Sequence, residues 1–407
     1  MATNKQGRRN RDDQTGLHAP NILPLIVLVD GNLEDAGFLA WLNQLEMAPT
    51  FNNKFSFYED DWLPATDTVD GAVTGTTQQT IIVDTPLAFL ANQLWKNTRT
   101  GEVYFVETVN EPASSIVVSR AVGRDSTNST GTAAAAISDG DTLARLGNTS
   151  GEVSRRQTAQ STVPVEVFNY TEKMRYEVDM SDWQEASEHI TGNDWEYQLD
   201  KCFEQSRKDI NGKLFMGERN VSTVNGQKHY YTGGLDTYIS TNSLSVSGTL
   251  HEYALNDFLA ENAMRYGPAE KLCLGSSKFI TALNEIAGDK TVIQKVNLGN
   301  SDIALGVNVL KYVSPSGKTL TVMEDRFLST AYPGHAYIVD MQAVRLRHFS
   351  NGNKNGMPHI MENTQENDAD NMAAAVICDM GLEVGPEKHH GRITGVTAGG
   401  AAGRAVG

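Results

Sequence analysis

The clearest periodic pattern in the chain runs through WEYQLDKCFEQSRKDINGKLF, residues 195–215. At 3.6 residues per turn, Trp195, Leu199, Cys202, Phe203, Ile210 and Leu214 share one side, and Asp200, Glu204, Lys208 and Asn211 fall on the other. The spacing predicts a helix from Asp194 to Met216, capped by Asn193 or Asp194 and ended at Gly217. At 1.5 Å per residue it would be on the order of 35 Å long. Ser206 interrupts the apolar stripe, and Gly212 costs about 1 kcal/mol relative to Ala inside a helix. A stripe this narrow suits a helix that lies along something rather than one enclosed by a core.

Shorter helical patterns occupy 33–46 (LEDAGFLAWLNQLE) and 250–267 (LHEYALNDFLAENAMRYG). In KLCLGSSKFITALNEIAG, 271–288, a strand passes through a turn into a helix with Ser276 as N-cap. Most other segments alternate in the manner of strands: 80–84, 102–108, 114–120, 169–183, 307–313, 319–325, 335–341, 344–349 and 374–384. Asn97–Gly101 and Asp139-Gly140-Asp141 read as tight turns, and Gly233-Gly234 as a close one. The small, polar run 125–141 reads as an exposed loop, and the end, GVTAGGAAGRAVG, as a tail without core-forming residues.

With 407 residues and 40% hydrophobic content the chain can build real cores, and no run approaches the 18 or so apolar residues of a membrane span. The first residues lack the apolar stretch of a secretory signal. Three cysteines, Cys202, Cys273 and Cys378, have no metal-like spacing and read as free thiols in a reducing compartment. The sequons at Asn128, Asn148, Asn169 and Asn220 then read as chance. A net charge of −16 argues against tight nucleic-acid binding, which needs Lys and Arg on the binding face. The one basic cluster, Lys5, Arg8, Arg9 and Arg11, reads as a solvated terminus.

Catalytic patterns are missing from the sequence. There is no GxSxG, GxxxxGK[ST], HExxH or strand-borne GxGxxG. His389 and His390 are adjacent, and neighbours on a strand point apart, which is poor for joint metal binding. Asp139 and Asp141 flank Gly140 without the calcium loop that would follow, and read as a turn with two solvated carboxylates. Glu59, Asp60 and Asp61 form an acidic run of the same kind. No enzyme activity, metal or cofactor is expected.

The order of elements, taken with four segments, resembles the major capsid proteins of tailed bacteriophages with the HK97-type fold. FNYTEKMRYEVDMS (168–181) looks like the strand leading into that fold's spine helix. LDKCFEQSRKDINGKLFMGERN (199–220) with YYTGGLDTYISTN (230–242) looks like the spine helix and its following loop. KLCLGSSKFITALNEIAG is similar to the strand and helix of the axial domain. VMEDRFLSTAYPGHAYIVDMQAVRLRHF (322–349) looks like the return to the peripheral domain. The resemblance covers most of 165–385, and TRTGEVYFVETV with ISDGDTLARLGNTSGE looks like an inserted β domain.

The resemblance implies an α+β, HK97-like capsid fold. It has an N-terminal arm (1–50) and an extended loop (51–165) carrying the small β domain at about 80–150. A first peripheral part (166–250) contains the spine helix 194–216, and an axial domain spans 251–334. Peripheral return strands (335–395) and a flexible tail (396–407) complete it. It implies a self-assembling icosahedral shell of hexamers and pentamers around double-stranded DNA, built in the bacterial host cytoplasm. The DNA would touch the acidic wall only weakly, and scaffold, portal and decoration proteins would be separate partners. Phe55, Phe57, Tyr58, Trp62 and Leu63 would pack on a neighbouring subunit. Lys54 and Lys96 are the lysines of the extended region, but no Asn or Glu partner is identifiable, so no covalent cross-link is expected. An encapsulin-like compartment shell and a virion-surface binding protein are the alternative readings.

Overall fold

A computed structural model describes residues 37–43, 47–77, 79–123, 131–152, 159–187, 194–288, 311–314, 317–351 and 354–400. The basic cluster at Lys5–Arg11, the apolar run at 26–29, Asn128 and the last residues 401–407 lie outside them. The chain is α+β and divides into two compact units, one of residues 1–56 with 168–407, the other of residues 57–167.

In the larger unit the long helix is Asp194–Met216. Its buried residues are Ser206, Ile210, Asn211, Leu214 and Phe215, so the covered stripe belongs to the C-terminal half. Trp195, Leu199, Cys202 and Phe203 remain half-exposed. Two expectations are corrected here. Ser206 does not break the stripe, because its hydroxyl donates to the Phe203 carbonyl at 2.6 Å and leaves no unsatisfied group. Asn211 is not on the solvent face; it donates to Asp325 and accepts the Leu39 amide at 3.0 Å.

That helix lies over two sheets which share its core. The first has the order Ala48–Thr50, Val344–Asn351, Asn371–Val384, Glu172–Ser181, with His359–Glu362 also on the third strand. All pairings within it are antiparallel except that of Ala48–Thr50 with Val344–Asn351. Met174, Cys378, Met380 and Leu382 meet Ile210, Leu214 and Phe215 of the helix in one cluster. The strand AAAVICDMGLEV is buried almost throughout, as expected of a strand covered on both faces.

The second sheet has the order Ser243–His251, Gly391–Gly400, Ala336–Val339, Glu270–Gly275, Thr319–Glu324, Lys311–Val313. Alternation sends Leu272, Leu274, Tyr337 and Val339 to the helix core and Cys273, Ala336 and Ile338 to a separate cluster. That second cluster is closed by Phe258, Phe279, Leu283 and Ile286. The helix Ser277–Gly288 is capped by Ser276, whose Oγ accepts the Phe279 amide at 3.3 Å, as the sequence indicates.

Three further departures are physical. Strands Ala336–Val339 and Gly391–Gly400 join the second sheet, so the 335–395 stretch is not one set of return strands to the first. The flexible tail expected from 396 is strand as far as Gly400. Its small residues serve close approach: a Cβ on Gly399 would sit 1.9 Å from the Ala282 carbonyl oxygen of the crossing helix. The helix expected at 250–267 is α-helical over Glu252–Phe258 only, then widens to a π turn over Leu259–Ala263.

The smaller unit is a barrel. Six antiparallel strands run Thr66–Thr68, Thr142–Asn148, Gln93–Asn97, Val103–Asn110, Ser115–Ser119, Thr80–Ile82. A Val69–Val83 bridge, with the Asp70 and Asp84 amides donating to the Ile82 and Thr68 carbonyls, joins the two ends. Closure removes the edges on which sheets aggregate. Trp95, Tyr104, Val106, Ile116, Val118 and Leu143 fill the interior. Beside them Glu102, fully buried, pairs with Arg120 at 2.7 Å and accepts from the amides of Ala121 and Ala135. The run expected as an exposed loop is therefore partly structural: Ile137 is buried and bridges to Val73.

Candidate assembly interface

Two strands, Lys54–Glu59 and Val165–Tyr170, pair as an isolated ribbon and carry the chain from the larger unit to the smaller and back. An unsupported two-stranded ribbon is marginal in water, and its base is correspondingly heavily tied. In the larger unit Phe168 has the Lys54 ammonium 4.3 Å from its ring centre and the Arg219 guanidinium 4.1 Å away. Arg219 and the Tyr238 hydroxyl both donate to the Phe168 carbonyl at 2.7 Å. Burial pushes the Tyr238 phenol up to about 12, so it stays a donor.

Asn169 adds a second tie. Its Nδ2 donates to the carbonyls of Gly233 and Leu382, and its Oδ1 accepts the amides of Gly233 and Tyr170. An Asn side chain with donors and acceptor so engaged has no place for a glycan, whereas Asn148 and Asn220 are exposed. The Gly233-Gly234 turn does come close, its Gly234 amide donating to the Gly217 carbonyl at 2.7 Å.

Above the base the ribbon turns apolar groups outward. Of the residues singled out in the sequence, Phe55, Phe57 and Tyr58 lie on the Lys54–Glu59 strand, and Trp62 and Leu63 follow it. Phe55, Phe57 and Leu63 are half-buried; Phe55 lies over Gly381 within the larger unit. Tyr58 is 71% and Trp62 93% exposed. Sequence reasoning missed Val163 and Val165, which are exposed beside the returning strand, and Phe51 and Trp183 of the larger unit. The V-P-V run at 163–165 carried the signal, an apolar pair flanking a Pro in a polar stretch. A monomer scatters single apolar groups over its surface; here Tyr58 at the end of the strand and Trp62 just after it are two large exposed aromatics four residues apart, the kind of apolar surface that partners cover.

The rest of the molecule offers no chemistry of comparable weight. Among the described residues no group of three or more His, Cys, Asp and Glu is placed to hold a metal, and no helix is long and apolar enough to cross a membrane. A cavity of about 670 Å³ beside the first half of the long helix is lined by polar groups such as Glu177, Asp179, Ser181, Asp194 and Gln198. Asp141 is not the solvated carboxylate expected: it is buried and binds Arg99 Nε at 2.6 Å, Asn97 and the Ser138 amide. Those bonds hold it down at about 2. His389 and His390 do not point apart as on a strand; they stand in a short turn and both converge on Asp340.

A family model described as SU10 major capsid protein matches residues 14–397. No curated protein sequence matches the chain. Among solved structures, the chain is similar to the capsid asymmetric unit of cyanophage A-1(L), at 12% identity and TM-score 0.49, covering 96% of this chain and 100% of that one. It is similar to a Mycobacterium phage Patience structure at 12% identity and TM-score 0.41, covering 63% and 79%. It is also similar to the SrpI encapsulin complex of Synechococcus elongatus PCC 7942 at 13% identity and TM-score 0.38, covering 58% and 78%.

Proposed function

The chain belongs to the SU10 major capsid protein family, and from that premise we propose how its subunits meet. It is a structural subunit of a capsid shell. The ribbon of Lys54–Glu59 and Val165–Tyr170 carries Tyr58 and Trp62 onto a neighbouring subunit, with Phe57, Leu63, Val163 and Val165 beside them. The single observation that supports this reading is the exposure of Tyr58 and Trp62, at and just after the end of a strand whose ribbon is fixed at its base by Phe168 and Asn169. Burying such rings supplies roughly 25 cal/mol per Å² of apolar surface, and a few central aromatics dominate most interfaces.

The shell is icosahedral, built of hexamers and pentamers, and encloses the double-stranded DNA of a tailed phage. With a net charge of −16 the wall touches that DNA weakly. Scaffold, portal and decoration proteins are separate chains, assembly takes place in the host cytoplasm, and the subunit performs no catalysis. Replacing Tyr58 and Trp62 together with Ser tests the contact. The doubly substituted subunit should fold, with unchanged circular dichroism and melting temperature, yet stay in small species by light scattering where the parent forms large ones. Assembly at the parent's yield would refute the contact.

A further inference from the structure

Within the larger unit the chain passes between the two cores or sheets at three neighbouring places: 239–242, 340–343 and 385–390. A polar knot ties them together, exposed at Ser240 and Thr241 and buried at Asn242, Lys271, Asp340 and His390. Glu387 Oε1 accepts the Ser240 and Thr241 amides at 2.8 and 2.6 Å, and Asn242 Nδ2 donates to the carbonyls of Lys388 and His390. His389 Nδ1 lies 3.0 Å from Asp340 Oδ2. The Asp340 amide donates to His390 Nδ1 at 3.2 Å, which fixes His390 as the neutral ring with its other nitrogen protonated. Beneath them the fully buried Lys271 ammonium donates to the carbonyls of Ala263, Tyr266 and His389 at 2.7, 2.7 and 2.5 Å.

We propose that His390 is the acid-sensitive pin of a latch that fixes how the second sheet stands on the first. The reason is geometric. A protonated ring would turn Nδ1 from acceptor to donor, facing an amide that can only donate, in a site with no solvent exposure. The charged and titratable groups facing it are Lys271, Asp340, His389 and Glu387. Lys271 repels a second cation, and the two carboxylates that could offset it are already engaged, Asp340 with His389 and the Gln342 amide, Glu387 with the 240–241 amides. Acid therefore favours an opened latch, with the 385–390 turn released from Asp340.

The electrostatics agree with the geometry. Burial and Lys271 push His390 down to about 3 from an ordinary 6.5. A depressed His contributes stability that is complete above about 6.5 and is lost as pH falls toward the folded value. Between pH 7 and pH 5 the opening constant should rise about 25-fold by this linkage. Hydrogen exchange of the full chain, read by mass spectrometry and normalised to intrinsic rates at each pH, tests it. Protection in peptides covering 339–343 and 386–392 should fall by that factor, while the strand Asn371–Val384 holds. In His390→Asn, whose amide oxygen can accept the same bond without titrating, the fall should vanish. Unchanged protection between the two pH values, or a loss shared equally by Asn371–Val384, would overturn the latch. The parent chain alone decides this if the variant does not fold.

Discussion

At the scale of single residues, Gly212 reverses what its sequence position implies. In a helix interior it costs about 1 kcal/mol relative to Ala. Here a Cβ would lie 2.8 Å from the Phe327 ring, which stacks on Phe215. Overpacking of that kind costs about 1–3 kcal/mol. Gly212→Ala should therefore destabilise, by about 1 kcal/mol net, and Phe327→Leu in the same chain should restore most of the loss in chemical denaturation. Asp325 is the second such residue. It is buried, and it accepts the amides of Phe38, Phe327 and Leu328 together with both bonds from Asn211. It thereby fastens the helices Gly37–Leu42 and Arg326–Ala331 to the long helix. Every partner is a donor, so Asp325→Asn places an NH₂ against N–H groups and should cost about 2 kcal/mol in the same measurement. Neither effect was legible beforehand. A helical pattern places Asn211 on the polar side because nothing local reveals a buried carboxylate more than a hundred residues away.

Among the elements, the long helix was the most legible, because its period persists over many turns and Gly217 marks its end. The strands were readable from β-branched and aromatic runs such as 102–108 and 374–384. Sheet membership was not. Ala336–Val339 and Gly391–Gly400 are short or glycine-rich, and their place is set by long-range pairing, with each other and with Glu270–Gly275 and Ser243–His251, rather than by their own pattern. The barrel shows a similar limit: its turns at Gly101 and Gly140 were visible, but Asp141 meets Arg99 only because Gln93–Asn97 pairs with Thr142–Asn148, more than forty residues on. That pairing has a pH signature. With Asp141 held at about 2 by Arg99, against 3.8 ordinarily, it contributes stability above about pH 4 that is lost as pH falls toward 2. An isolated segment 57–167, which has its own core and a barrel closed by the Val69–Val83 bridge, should unfold in one cooperative transition. Its melting temperature should drop between pH 4 and pH 2, and less so in Asp141→Asn. An unfolded segment, or identical acid profiles for the two chains, would contradict this.

For the whole molecule, the resemblance rested on the order of elements, and the family match along 14–397 agrees with it. The residues of the proposed contact were only partly legible. Aromatic content drew attention to 55–63, but exposure separates Tyr58 and Trp62 from Phe55, which is engaged over Gly381 in its own chain. Val165 opens the strand that pairs with Lys54–Glu59 and Val163 lies two residues before it, a pairing that no local pattern announces. On the proposed reading, Tyr58 and Trp62 stay uncovered until a neighbouring subunit arrives. Electron microscopy of the purified chain, with its mass measured by light scattering, tests that most directly. Closed shells or rings of capsomer size are expected, with the chain alone or with its scaffold supplied. A chain that stays monomeric under both conditions would contradict the account.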